Sequence, residues 1–293
     1  MSETAPHVPV MPAECLEWLA AAAGKLVIDG TFGAGGHSRL LLEAGCDVLA
    51  IDQDPAARAT ADQLQAEYGA DRFRFQSGNF RQLEPLLAAA WGERRADGLL
   101  LDIGVSSMQI DQAERGFAFR QDGPLDMRMS SSGQSAADVV NDMDEAELAA
   151  IIYRYGEERH SRRIARAIKA AAAEAPITDT ARLAGIIQAA YPGGPRRDHP
   201  ARRTFQALRI FVNDELAALE EALAAAGAVL SAGGRVVVLS YHSLEDRIVK
   251  HAFKDDARFE VLTKRPLTAS DAEQETNPRS RSAKLRAAER RAS

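Results

Sequence analysis

A short apolar segment that runs directly into a glycine-rich loop constrains this chain more than any other feature. Residues 26–28 are apolar and end at Asp29, and a helix is predicted to begin near His37. The loop between them carries four glycines, Gly30, Gly33, Gly35 and Gly36. Glycine is needed where a ligand presses against bare backbone, because a Cβ atom would collide with it. The pattern predicts a buried parallel strand, a ligand-binding loop and a helix.

A second apolar run, residues 47–52, ends in the carboxylate of Asp52. In nucleotide-binding folds an acid roughly 20 residues beyond the first strand accepts hydrogen bonds from ribose hydroxyls. Asp52 follows Asp29 at about that spacing. The two runs together predict a pocket for an adenosine-containing cofactor at the carboxyl ends of parallel strands.

The glycine spacing indicates which cofactor is bound. A dinucleotide loop reads Gly-x-Gly-x-x-Gly, but Ser38 stands where the third glycine would follow Gly33 and Gly35. No Gly-x-x-x-x-Gly-Lys phosphate loop occurs in the sequence either. The order Asp29-x-x-x-Gly33-x-Gly35 resembles the first motif of S-adenosylmethionine (SAM) methyltransferases, with the spacing of enzymes that modify exocyclic amines of bases. A glycine-rich turn that binds nothing is the alternative, and Asp52 favours the cofactor.

Strands and helices alternate over the first hundred residues and again near the end of the chain. The predicted strands are 26–29, 47–52, 72–76, 98–102 and 235–240, with a closing pair at 259–263 and 284–288. The predicted helices among them are 13–23, 37–43, 55–68, 82–91 and 213–230, the last ended by Gly233-Gly234. This alternation predicts an α/β fold with a mostly parallel sheet covered on both faces.

The alternation stops between residues 106 and 204. A loop to Ser135 is followed by predicted helices at 145–155, 161–173 and 178–190. We therefore expect a sheet domain formed by residues 1–105 and 205–293, and a mainly helical insertion formed by residues 106–204.

Positive charge is concentrated in parts of an otherwise acidic chain. The net charge is −6, yet residues 153–209 contain 12 Lys and Arg against 5 Asp and Glu. Focused basic patches suit docking to a phosphate backbone while limiting non-specific binding. A solvated helix face explains Arg159–Lys169 equally well. The residues predicted to bind RNA lie in a Pro/Gly-rich stretch and are Arg196, Arg197, Arg202 and Arg203.

Several classes of protein are disfavoured by composition. No apolar run approaches the length of a membrane span, and residues 1–11 lack the apolar core of an export signal. The two cysteines, Cys15 and Cys46, are too few for a disulfide framework, and no Cys/His cluster has metal spacing. We expect a cytoplasmic protein without a membrane segment or a bound metal.

Eight ordered blocks resemble one family over nearly the whole chain. They are Asp29–Ser38, Leu101–Ser107, Glu114–Phe119, Gly123–Arg128, Tyr155–Arg159, Thr204–Arg209, His242–Arg247 and Asn277–Arg281. They look like the ribosomal RNA small subunit methyltransferase H family, which methylates N4 of a decoding-centre (P-site) cytidine in 16S rRNA. The resemblance implies a class I, Rossmann-like SAM methyltransferase whose partner is 16S rRNA within the small ribosomal subunit. The SAM contacts that it implies are Gly35, Gly36, His37, Asp52, Phe80, Asp102 and Gln109, beside Gly33 of the motif.

The residues that polarise the target amine are less well defined. Amino-methyltransferases usually carry two prolines and an aromatic residue after the fourth strand, but here Asp102 is followed by Ile-Gly-Val-Ser-Ser. Direct methyl transfer needs acceptors that localise the amine lone pair. We expect them from Asp102, Ser106, Ser107 or main-chain carbonyls. Tyr241 is a candidate to stack on the base and His242 a candidate catalytic residue, although a helix-capping histidine is an equal alternative.

Other functions stay open at this point. A dehydrogenase would need a third glycine at Ser38. A non-catalytic RNA-binding protein or assembly factor with a SAM-binding fold would be expected to lose the acids and glycines of the motif, which are present. The substrate could be free rRNA, a precursor or an assembled subunit, and the oligomeric state is open.

Overall fold

The computed structural model describes residues 8–130, 132–193 and 199–292. The chain divides into two compact units. One, here called the sheet unit, comprises Met1–Gly104 and Leu216–Ser293, and the other, the helical unit, comprises Val105–Glu215. No helix of the described ranges combines the length and apolar character needed to cross a membrane.

The sheet unit contains a seven-stranded sheet with the order β3-β2-β1-β4-β5-β7-β6. The strands are β1 (Leu26–Asp29), β2 (Asp47–Asp52), β3 (Phe73–Ser77), β4 (Ala96–Asp102), β5 (Leu230–Ser240), β6 (Phe259–Val261) and β7 (Lys284–Arg290). Strands β1 to β5 are parallel to one another, whereas β7 runs antiparallel to both β5 and β6. The predicted α/β class with a mostly parallel sheet is confirmed.

The central strands are apolar throughout because both faces of the sheet are covered. Along β4, Leu99 and Leu101 enter one core cluster and Leu100 enters the other. The same alternation separates Val236 and Val238 from Val237 in β5. Side chains of a strand point to opposite faces in turn, so these continuous apolar runs are the expected pattern of a buried parallel sheet.

Seven helices surround the sheet within the described residues. They are α1 (Pro12–Trp18), α2 (Gly36–Glu43), α3 (Ala57–Tyr68), α4 (Leu83–Trp91), α11 (Glu215–Val229), α12 (Ser243–Asp255) and α13 (Asp271–Thr276). Two predicted bounds are wrong by five residues, the end of the first helix and the start of the fifth strand. The first helix stops at Trp18 instead of residue 23. The glycine pair Gly233-Gly234 does not end α11 but lies inside β5, where the pairing with β4 shifts register and Gly233 has a φ of +76°.

The helical unit has its own core of buried apolar side chains. Its helices are α5 (Ser107–Asp111), α6 (Ala136–Asp142), α7 (Glu145–Gly156), α8 (Ser161–Glu174), α9 (Thr180–Ala190) and α10 (Ala201–Val212). The sequence analysis predicted no helix for α5, α6 or α10. It also assigned residues from 205 onward to the sheet domain, whereas the helical unit continues to Glu215. The reason is that α10 buries Phe205 and Leu208 in the helical core.

Candidate active site

The loop after β1 is closed by a buried carboxylate. Asp29 accepts a hydrogen bond from Ser38 Oγ at 2.7 Å and one from the Thr31 backbone N–H at 3.2 Å. Burial raises the pKa of Asp29, although the neighbouring His37 and these hydrogen bonds act in the opposite direction. Asp29 therefore ties the end of β1 to the first turn of α2, and its role in this structure is to shape the loop.

Asp52, at the end of β2, faces the same loop. Its Oδ2 atom accepts a 2.7 Å hydrogen bond from the Gly33 backbone N–H, and Oδ1 accepts one of 2.8 Å from the Asp54 N–H. Burial raises the pKa of Asp52 to about 6, and the two backbone donors reduce this shift. Each carboxylate oxygen retains acceptor capacity beyond these bonds, which is what ribose hydroxyls require.

The structure explains Gly35 differently from the sequence analysis. Gly35 has a φ of +77° and caps α2, and a Cβ atom there would lie 2.9 Å from Phe32 Cζ and 3.1 Å from Leu64 Cδ1. At Gly36 the Cβ position lies 3.3 Å from Pro9 Cδ. Glycine is thus required at position 35 by backbone conformation and protein packing, whatever the loop binds.

Phe80 follows β3 and begins a short 3₁₀ turn. Asn79 caps this turn by accepting from the Arg81 N–H at 3.0 Å, and its amide donates to Gln53 Oε1 at 2.9 Å. The Gly78 N–H donates to the Asp52 carbonyl at 2.9 Å, which joins this turn to the end of β2. The ring of Phe80 is half-buried, so one part of it is available to a flat ligand.

Asp102, the last residue of β4, is held from three sides. Its backbone N–H donates to Thr31 Oγ1 at 2.7 Å. Its Oδ1 atom accepts a 2.5 Å hydrogen bond from the Tyr241 hydroxyl, and Oδ2 lies 3.5 Å from His37 Nε2. The ends of β1, β4 and β5 and the start of α2 are therefore joined at one residue, Asp102, through its backbone N–H and its carboxylate.

Asp102 changes the ionisation of both partners. Burial lowers the pKa of His37, but Asp102, with smaller contributions from the charges of Asp29 and Glu273, raises it, and the net pKa of the imidazole is raised. Burial and the charge of Asp102 raise the pKa of Tyr241 well above its usual range. Tyr241 therefore stays a neutral hydrogen-bond donor at physiological pH. His37 Nε2 is buried and forms no hydrogen bond in the described part of the chain, because its contact with Asp102 is an ion-pair distance only.

His242 is the N-cap of α12, one of the two roles considered for it. Its Nδ1 atom accepts from the Glu245 N–H at 3.5 Å, while Glu245 Oε2 accepts from the His242 N–H at 3.2 Å and from the Tyr241 N–H at 2.8 Å. His242 Nε2 lies 2.9 Å from Glu245 Oε1. This capping box holds the backbone that carries Tyr241.

The remaining predicted site residues belong to the helical unit. Gln109 is buried in α5 and closes a capping box with Ser106, with bonds of 3.0 and 3.2 Å. Arg202 and Arg203 are exposed in the first turn of α10, so their predicted loop location is wrong. The other two predicted RNA-binding residues, Arg196 and Arg197, lie outside the described residues.

Three residues that orient the site were missed by the sequence analysis. Thr31 lies in the glycine loop, Ser38 in the first turn of α2 that follows it, and Glu245 completes the capping box of α12. Polar side chains within a loop that closes on a buried strand end could have been identified as bonding partners for its acids. Glu245 could have been found from its position three residues after a capping residue.

These residues fit SAM. Asp52 offers acceptors to ribose hydroxyls, Phe80 offers a half-buried ring to adenine, and His37 presents a buried nitrogen without a hydrogen bond among the described residues. A Rossmann-like sheet with a glycine loop after β1 and an acid at the end of β2 is common to nucleotide-binding enzymes. Because Ser38 stands in place of the third glycine of a dinucleotide loop, the site is that of a SAM-dependent methyltransferase.

The comparison with known proteins specifies the family. Residues 4–291 match the model of the MraW methylase family, and the chain belongs to this family. A relative from Deinococcus radiodurans, named ribosomal RNA small subunit methyltransferase H, is 57% identical over 98% of this chain and 90% of its own length. A protein of the same name from Deinococcus deserti is 57% identical over 99% of this chain and 95% of its own length. Another from Rhodopseudomonas palustris (strain TIE-1) is 52% identical over 97% of this chain and 90% of its own length.

Proposed function

We propose that this enzyme methylates N4 of a decoding-centre (P-site) cytidine in 16S rRNA, within the small ribosomal subunit and in the cytoplasm. The names of the relatives support rRNA of the small subunit as the substrate. The observation that carries the chemistry is the carboxylate of Asp102, held at the end of β4 by the hydroxyl of Tyr241.

The cytosine amine is a poor nucleophile because its lone pair is delocalised into the ring. When bound, SAM supplies an electrophilic methyl group. Asp102 would accept a hydrogen bond from the amine, which localises the lone pair, and its charge would stabilise the positive charge that develops on the nitrogen. Asp102 then stands as acceptor for the proton that the methylated nitrogen must release.

Tyr241 is proposed here as a positioning residue. Its hydroxyl donates to Oδ1 of Asp102 and fixes the carboxylate, whose lone pairs that do not face Tyr241 or His37 can accept from the amine. The proposal that its ring also stacks on the base is retained, since the side chain is only partly buried. A cytidine that is paired or stacked must leave its helix to reach such a site.

The cysteines support direct transfer over a covalent mechanism. Methylation at C5 of cytosine normally requires a thiolate that attacks the ring. Cys15 and Cys46 are both buried, and burial raises the pKa of each thiol. The charge of Asp102 raises the pKa of Cys15 further. Neither residue has the lowered pKa that a nucleophilic cysteine needs.

The helical unit is proposed to recognise RNA through Arg202 and Arg203, together with Arg196 and Arg197 outside the described residues, and Gln109 is proposed as a SAM contact. The proposed SAM contacts of the sheet unit are Gly33, Gly35, Gly36, His37, Asp52, Phe80 and Asp102. His242 keeps two proposed roles, as a cap and as a catalytic residue, which predict different outcomes for the variants given below.

The test is product analysis. The purified protein is incubated with isotopically labelled SAM and either deproteinised 16S rRNA or intact small subunits that lack the modification. The RNA is digested, and labelled nucleosides are separated and weighed by mass spectrometry. We expect N4-methylcytidine at one position. RNA binding without any methylated nucleoside on either substrate would favour the non-catalytic assembly factor instead.

A further inference from the structure

A buried acid orders the connection between α7 and α8. Glu158 accepts hydrogen bonds from the His160 backbone N–H at 2.7 Å and from the Tyr191 hydroxyl at 3.2 Å. The rings of His160 and Tyr191 meet edge to face at 4.9 Å. Since Tyr191 follows the last residue of α9, the end of α7, the start of α8 and the end of α9 are fixed to one another.

The start of α10 lies at the same end of the helical unit. A Cβ atom at Gly156 would lie 2.6 Å from the carbonyl oxygen of Arg203, so the last turn of α7 packs directly on the α10 backbone. The Arg203 guanidinium donates to the Glu157 carbonyl at 2.9 Å. Glu157 itself has a φ of +49°, a strained conformation for a residue other than glycine.

This end of the unit carries five exposed arginines, here called the basic junction. They are Arg159, Arg162, Arg163, Arg202 and Arg203. The first three form no ion pair or hydrogen bond through their side chains with any residue in the described ranges. One turn further along α8, by contrast, Arg166 lies 3.5 Å from Glu145.

The basic junction does not stabilise the helices that carry it. Arg162 and Arg163 occupy the first turn of α8, and Arg202 and Arg203 that of α10. The macrodipole places partial positive charge at a helix N-terminus, so cations there are unfavourable. Arg159, Arg162 and Arg163 are held close to further positive charge without an acidic partner in the described ranges, which an anionic ligand explains, and guanidinium groups are well suited to bind phosphate.

We propose that the basic junction binds the phosphate backbone of a single-stranded segment of the RNA substrate. This inference rests on the proposed function, since it takes RNA as the ligand. The choice of a single strand comes from Tyr153, whose side chain is 63% exposed on α7, one helical turn before Glu157. An exposed aromatic ring beside cationic groups binds unpaired bases by stacking, and paired bases cannot use it.

The main test uses salt-dependent binding of deproteinised 16S rRNA to the full-length protein. The triple variant R159Q/R162Q/R163Q is compared with the wild type between 50 and 300 mM NaCl. Each lost contact to single-stranded phosphate reduces the slope of log K against log salt by about 0.7. We expect the slope to fall by about 2 and affinity at 150 mM NaCl to fall roughly 10- to 100-fold, with SAM affinity unchanged by calorimetry.

The matched control removes the same charge from the sheet unit. K250Q/K254Q/K264Q replaces three exposed lysines and is expected to keep the wild-type slope. An equal loss in this control, or an unchanged slope in the triple arginine variant, overturns the proposal. Thermal melting checks that the variants fold. If the triple variant is destabilised, the three single arginine substitutions are measured instead, and each is expected to lower the slope by about 0.7.

Two further measurements separate the possible failures. Tyr153→Ala is expected to weaken binding of a labelled single-stranded oligoribonucleotide about tenfold and to leave binding of a duplex of the same sequence unchanged. An equal loss of affinity for both would contradict the single-strand assignment.

Product analysis of the wild type is independent of these slopes. A wild type that makes N4-methylcytidine while the arginine variant keeps its slope disproves the docking surface alone. A wild type that binds RNA through these arginines without methylating it disproves the proposed function alone.

Discussion

The hydroxyl of Tyr241 donates a 2.5 Å hydrogen bond to Oδ1 of Asp102 and joins the ends of two neighbouring parallel strands. The carboxylate is further anchored by the bond from its own backbone N–H to Thr31. Its orientation is therefore set by protein contacts before a ligand is present. Such preorganisation is a principal source of electrostatic catalysis.

The first prediction concerns Tyr241→Phe. This change removes the hydrogen bond to Asp102 and keeps the ring. Because hydrogen bonds to charged groups contribute about 1.5–3 kcal/mol, we expect kcat to fall by roughly 10- to 100-fold with little change in the Kd for SAM. Steady-state kinetics and calorimetry measure the two quantities. Tyr68→Phe, in α3 of the same unit, is the control and is expected to keep full activity. An active Tyr241→Phe variant would show that the bond has no catalytic importance.

The second prediction is a pH dependence of SAM binding. The pKa of Asp52 is about 6 in the folded protein, so its carboxyl group is protonated at pH 5 and ionised at pH 7. Ribose hydroxyls need the ionised acceptor. Calorimetry between pH 5 and 8 should therefore show SAM affinity rising with pH through a midpoint near 6 and levelling off above it. Asp52→Asn should bind weakly at every pH and lose this midpoint.

The same raised pKa predicts how the free energy of unfolding of the unliganded protein depends on pH. Between the unfolded pKa of Asp, about 3.9, and the folded value near 6, the folded state binds more protons through Asp52. Its contribution to stability is therefore lost as the pH rises across this window. Urea unfolding at pH 4.5 and 6.5 should show a smaller difference in Asp52→Asn than in the wild type. An identical difference in both proteins would mean that Asp52 titrates normally.

The third prediction separates strain from packing at Gly35. Gly35→Ala introduces a Cβ atom 2.9 Å from Phe32 at a φ of +77°, whereas Gly24→Ala meets nothing within 4 Å at a φ of +80°. Left-handed backbone costs roughly 1–2 kcal/mol in both, and overpacking adds about 1–3 kcal/mol at Gly35 alone. Chemical unfolding measures the difference. Equal destabilisation of the two variants would contradict the packing explanation.

The fourth prediction distinguishes the two roles of His242. Asparagine is a good N-cap and has no imidazole, so His242→Asn should preserve α12 and the backbone of Tyr241. If capping is the whole role, this variant keeps its activity, while His242→Ala loses about 0.5–2 kcal/mol of stability. Loss of kcat in a stable His242→Asn protein would instead establish catalysis by the imidazole.

The fifth prediction is that the two cysteines are dispensable. The double variant C15A/C46A is expected to retain its methyltransferase activity and to yield N4-methylcytidine, because direct transfer to the amine forms no enzyme–base bond. A substrate that contains 5-fluorocytidine should leave no trapped adduct on denaturing gels. A 5-methylcytidine product, or such an adduct, would overturn the proposed mechanism.

Local sequence patterns determined much of this protein. The bounds of β1 and β2 were predicted without error, and the glycine loop and Asp52 were placed at the ends of neighbouring strands. These features depend on short-range properties. An apolar run bounded by turn residues is a strand in most contexts, and the carboxyl ends of parallel strands necessarily share one edge of a sheet.

Only the tertiary structure decided how distant segments meet. Asp102 and Tyr241 are 139 residues apart, and their hydrogen bond depends on β4 pairing with β5 across the helical insertion. The placement of β7 between β5 and β6, and of α10 in the helical core, was likewise not readable from their own residues. Amphipathic segments specify that a face is buried, but which partner buries it depends on packing among all elements of the fold.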